Sequence, residues 1–247
     1  MLSLSNMPQL IFSVAAAFIA LCIHEFAHAL AAYKLGDNTA ERNGRLSLNP
    51  LHHLDPVGAI FMVLFRFGWA KPVPINPINF KKPKRDFAIV ALAGPTSNII
   101  LAFFSAPIFL LFFKLAIAAQ YGTFAHTALY NTCIFFTIFT ALNVGLGIFN
   151  LIPIPPFDGS RILNVVLPEK AYFKVMRYER RIYFGFLIWL LVGDVVYSTL
   201  MSLPIISSAP ILSGALKIFD LSGLIGKAID FIYSAIISLW QLIPALS

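Results

Sequence analysis

Residues 8–33 read PQLIFSVAAAFIALCIHEFAHALAAY, an apolar run that carries His24, Glu25 and His28 in its second half. A helix needs about 20 mostly apolar residues to cross a bilayer, so this run is long enough to span. Its polar residues would then lie well inside the membrane. A charge at the centre of a membrane helix costs about 2.5–3.5 kcal/mol on insertion scales, and residues that bear such a cost are normally functional. The run also exceeds the roughly 7–15 apolar residues of a secretory signal, so it reads as a retained span.

The rest of the chain agrees. Of 247 residues, 59% are hydrophobic and 12% charged, with a mean hydropathy of +0.81. Soluble domains carry about 25% charged residues. Further apolar runs lie at 87–113, 129–151 and 182–203. After residue 205, Lys217, Asp220, Lys227 and Asp230 interrupt the apolar pattern, which predicts an amphipathic interfacial helix and one last span. The run 57–67 is too short to cross. LSLNP at 46–50 alternates apolar and polar with the period of a strand, and prolines at 72, 74, 77 and 83 exclude a continuous helix there. The expected fold is an all-α polytopic membrane protein of about five to six transmembrane helices. A small membrane-associated β-sheet or re-entrant region is expected after the first helix. Residues 1–203 form the predicted core and 204–247 an amphipathic or transmembrane tail.

The net charge of +7 is clustered. Nine of 18 Lys and Arg fall between residues 34 and 85, and six between 161 and 181. Clusters beside spans mark the cytoplasmic side and attract anionic lipid head groups, so they point to a bilayer and not to nucleic acid. Segments 34–85 and 152–181 are expected to face the cytoplasm from a multi-pass inner-membrane protein. Cys22 and Cys133 lie in apolar runs without a CxxC spacing, which supports neither a disulfide framework nor a thiolate metal site.

Residues 24–28, His-Glu-Phe-Ala-His, form an HExxH motif. Side chains four apart stack on one helix face, so two imidazoles there can grip one Zn²⁺ at about 2.0–2.1 Å. Glu25, beside the first ligand, is placed to take a proton from a water that the metal acidifies. A catalytic zinc usually has a third protein ligand. The candidates are His126, at the outer end of its span away from the basic side, Asp194, within the fourth span, and Asp158, in a stretch broken by prolines.

HEFAHA at 24–29, LAGPTSN at 92–98 and FNLIPIPPFDG at 149–159 resemble the motifs of the site-2 protease family of intramembrane zinc metalloproteases, peptidase family M50. SLNPLHHLDPVG at 47–58 and GWAKPVPINP at 68–77 look like its small bacterial or archaeal branch, without an inserted PDZ-like domain. The resemblance covers about residues 8–200. It implies one Zn²⁺ per chain on His24, His28 and Asp158, with Glu25 as general base. It also implies that Asn98 faces the site and hydrogen-bonds substrate. Phe157 stands where the family more often has Leu. His53 is a candidate substrate contact or auxiliary metal ligand, against a capped turn at the membrane surface. Asn76 is a turn former in a segment that could present an edge strand to an extended substrate. The implied substrates are single-span membrane proteins or membrane-embedded peptides. The competing functions are a catalytically silent metal-binding scaffold and a metal transporter.

Overall fold

The computed structural model describes residues 7–65, 68–203, 214, 216–217 and 220–246. The regular structure there is helical. Helix α1 runs Met7–Lys34, followed by the short α2 (Thr39–Arg42), α3 (Pro50–His53) and α4 (Pro56–Phe65). The long α5 (Pro83–Ala118) and α6 (Phe124–Asn150) come next, then α7 (Asp158–Val166), α8 (Glu169–Arg177), α9 (Glu179–Met201) and α10 (Leu221–Gln241). Five of these, α1, α5, α6, α9 and α10, are long and apolar enough to cross a membrane. This agrees with the lower end of the expected number.

Small residues decide how closely the first three spans approach. The buried stripe of α1 is Ala16, Ala20, His24, His28 and Ala32, a ladder of spacing four that keeps one face. Facing it, α5 buries Ala91, Gly94, Asn98, Ala102 and Ser105, and α6 buries Thr140, Asn143, Val144 and Gly147. Lipid tails are as apolar as leucine, so membrane helices associate through close packing of small residues and interhelical hydrogen bonds. Both devices are present: Ser105 Oγ and Thr140 Oγ1 lie 2.7 Å apart. Helix α10 joins the same core, packing Ile236 on Ala102, Ala106 and Val144. Its Trp240 Nε1–H donates to the Phe103 carbonyl at 2.8 Å.

The expected β-sheet is not found: the described residues contain no strand, only one antiparallel bridge between Leu54 and Ala70. The reason is local. Asn49 accepts a hydrogen bond from the Leu51 amide and turns LSLNP into the start of α3. Pro72, Pro74 and Pro77 remove the amides a ladder would need. The Asp55-Pro56 pair starts a helix. Asp55 Oδ1 accepts from the Gly58 amide at 2.9 Å, and α4 follows without the length to cross. Residues 66–67, and 204–213 at the start of the tail where an interfacial helix and a last span are expected, lie outside the described residues.

Candidate metal centre

The α-helical spacing of His24 and His28 puts their rings edge to face with centroids 4.6 Å apart. Their Nε2 atoms are 3.0 Å from each other. Asp158 closes the triangle, with Oδ2 at 3.1 Å from His24 Nε2 and 3.2 Å from His28 Nε2. It is the first residue of α7, and the turns after α6 bring it back onto α1. Gly159 permits that return: a Cβ there would sit 2.5 Å from the Ile152 carbonyl oxygen. Gly94 permits α5 to come equally close, since a Cβ on it would sit 2.6 Å from His24 Nε2.

The hydrogen-bond network fixes which ring nitrogens carry protons. His28 Nδ1 lies 2.7 Å from the Val90 carbonyl, which can only accept, so Nδ1 holds the proton. For His24 the chain is longer. Asn143 Nδ2 donates to the Phe139 carbonyl at 2.9 Å, which leaves Asn143 Oδ1 to accept from Asn98 Nδ2 at 2.8 Å. Asn98 Oδ1 then accepts from His24 Nδ1 at 2.6 Å. Both Nε2 atoms are therefore bare lone pairs in the neutral rings, and they converge on a carboxylate oxygen. Three acceptors without a proton between them repel unless a cation sits among them. Tetrahedral ligands at 2.0–2.1 Å from zinc are spaced by about 3.3 Å, close to the separations here. His24, His28 and Asp158 thus fit a zinc ion in spacing, tautomer and donor type, and their ligand atoms form one cluster within 4.8 Å.

Glu25 faces the same cavity as His28 and Asp158. Its Oε2 accepts from the Val73 amide at 2.9 Å. Together with His28, Asp158, Pro72, Val73 and Arg161 it lines a cavity of about 350 Å3. The strap 71–76 that supplies Val73 is clamped from behind. Arg45, buried, donates from Nη2 to the carbonyls of Lys71 and, at 3.3 Å, Pro72. Asp37 accepts from the Asn76 amide at 2.7 Å and from Asn79 Nδ2 at 2.7 Å. Burial works against the Asp37 charge, but the hydrogen bonds from Thr39, Asn76 and Asn79 outweigh it and hold the carboxyl below its ordinary value.

Asn98 is fully buried behind His24 and is not among the residues lining the cavity. Asn76 caps a short 3₁₀ turn at Pro77–Asn79, accepting from the Ile78 amide at 3.2 Å. His53 is buried, its Nε2 2.7 Å from the Ser47 carbonyl, and its Nδ1 has no partner among the described residues. It lines a separate small cleft with Cys22 and Trp69. Asp194 lies in α9 and its side chain falls outside the described residues. Sequence reading did not single out Asn143, Gly94, Arg45 or Arg161. Only the GPxxN stretch held a signal for one of them, the glycine beside a helix-borne proline.

Comparison with known proteins places the chain in a family. The model of Peptidase family M50 matches residues 12–192. Over 189 residues the chain is 42% identical to "Putative zinc metalloprotease YwhC" of Bacillus subtilis (strain 168), covering 76% of this chain and 80% of that one. It is 31% identical over 165 residues to the Rip2 protein of Mycolicibacterium smegmatis, which bears the same description, covering 65% and 59%. To Rip2 of Mycobacterium tuberculosis it is 30% identical over 156 residues, covering 61% and 55%. The chain thus spans less than two thirds of the mycobacterial relatives' length. No solved structure matches this chain.

Proposed function

We propose, for a chain that belongs to peptidase family M50 and is an intramembrane zinc metalloprotease, that His24, His28 and Asp158 hold the zinc and Glu25 is the general base. The observation that carries the ligand assignment is the convergence of the His24 and His28 Nε2 atoms on Asp158 Oδ2, at 3.1 and 3.2 Å. Zinc bound there supplies Lewis acidity and brings the pKa of a water towards about 7. Glu25 takes the proton from the attacking water and hands it to the leaving amine. Its other hydrogen bond, from the Val73 amide, keeps the carboxylate turned into the cavity.

The substrates are single-span membrane proteins or membrane-embedded peptides. His24 lies ten residues before Lys34, about 15 Å along α1 and so about half of a ~30 Å hydrocarbon core. A substrate helix reaching that depth must unwind, because an intact helix hides its amides in hydrogen bonds. The strap 71–76 offers a place for the unwound chain: the Val73 carbonyl and the Ile75 amide have no partner among the described residues. They can pair with an extended peptide laid across the cavity. The basic clusters support a cytoplasmic location for 34–85 and 152–181, with the cavity reached from that side.

Purified wild type and Glu25→Gln, incubated with a panel of single-span substrates, test the assignment. Both should hold zinc and only the wild type should cleave. Cleavage by Glu25→Gln would remove Glu25 from the role.

A further inference from the structure

Arg161 lines the cavity and has no part in the chemistry described so far. It follows Asp158 by three residues on α7, so the two side chains share a helix face. It is the sole Lys or Arg among the lining residues, set among Glu25, His28 and Asp158. Its guanidinium is held but not used up. One Nη2–H goes to Glu179 Oε1 at 3.1 Å and one Nη1–H to Met176 Sδ at 2.8 Å. A guanidinium carries five N–H donors in a planar fork. Nε–H and one hydrogen on each Nη therefore have no partner among the described residues. An ion pair exposed at 29% and 32% contributes little to stability, so tying α7 to α9 is a weak reason for placing a cation here. Orienting the fork towards the cavity is a stronger one.

Carboxylates and phosphates are the groups that match such a fork in two parallel hydrogen bonds. Peptide hydrolysis makes one of them inside this cavity. Water adds to the scissile carbonyl carbon, the C–N bond breaks, the amine leaves with a proton from Glu25, and the N-terminal fragment ends in a new carboxylate. We propose that Arg161 binds that carboxylate, so the site recognises the free C-terminus of its own N-side product. Glu179 and Met176 act as positioning residues that aim the guanidinium. The proposal rests on reading this cavity as the catalytic one.

The test uses zinc-loaded protein and a pair of short apolar peptides that differ only in ending as a carboxylate or a carboxamide. Their affinities are measured by fluorescence anisotropy for the wild type, Arg161→Gln, Arg161→Lys and Glu179→Gln. The wild type should prefer the carboxylate. Arg161→Gln should reduce that preference about 10–100-fold, the range for losing a hydrogen-bonded charge. Arg161→Lys should lose part of it, and Glu179→Gln, whose amide oxygen can still accept from the guanidinium, should keep it. The proposal is overturned if the wild type does not discriminate, or if Arg161→Gln keeps the wild-type ratio within about twofold while retaining zinc. Should Arg161→Gln fail to fold, an unreduced ratio in Arg161→Lys overturns it equally. Cleavage of a single-span substrate by the same wild-type preparation separates the two readings. If Glu25-dependent cleavage persists with an unaltered ratio, Arg161 alone loses its role; without such cleavage, the site assignment itself falls.

Discussion

Replacing Asn98 by Ala removes the acceptor that orients His24. In the structure this costs the 2.6 Å contact to His24 Nδ1 and the 2.8 Å bond to Asn143 Oδ1 together. Partners one step behind a metal ligand typically contribute 10–100-fold in metal affinity, about 1.4–2.7 kcal/mol. Two buried polar groups also lose their partner, at about 1–3 kcal/mol each before relaxation. Asn98→Ala should therefore bind zinc about 10–100-fold more weakly in chelator competition and unfold at a lower temperature. Asn98→Asp, which keeps an acceptor for His24, should hold zinc within about tenfold of wild type. A different outcome is expected if Asn98 contacts substrate: zinc affinity unchanged and KM raised. That result would refute the tautomer argument.

Gly94→Ala places a methyl 2.6 Å from His24 Nε2. Ordinary contact needs a shift of about 0.9 Å, beyond the roughly 0.2 Å tolerance of a metal site. The variant should fold yet contain little zinc by elemental analysis. Asp37→Asn should loosen the strap 71–76 and lower both thermal stability and kcat. Because the Asp37 pKa is depressed in the fold, its contribution is present above the ordinary carboxylate range and is lost as pH falls through the folded value. The stability gap between wild type and Asp37→Asn should close at acid pH. Trp240→Phe loses the bond to Phe103. It should cost about 0.6–1.5 kcal/mol in unfolding with cleavage retained.

Much of the centre is legible in the chain because its geometry is local. His24 and His28 are four apart on one helix, and an apolar run long enough to span leaves their polarity without a bland explanation. The four runs read as spans correspond to α1, α5, α6 and α9, since length and apolarity alone decide whether a helix can cross. The β-sheet expectation failed because alternation in LSLNP is too short to outweigh Asn49 capping α3. The supporting shell was not legible for another reason. Asn143 orients Asn98, and Arg45 grips Lys71 and Pro72, only through contacts far apart in sequence. No spacing rule links them. Gly94 shows the same limit: a glycine in a helix is ambiguous until the neighbouring helix is placed against it.

The most direct test of the central claim is X-ray absorption at the zinc edge on the purified chain. The account predicts one zinc per chain with two imidazole nitrogens and carboxylate oxygen at about 2.0–2.2 Å, and loss of that signal in His28→Ala and Asp158→Ala. A shell containing sulfur, or a spectrum unchanged by both substitutions, would contradict it.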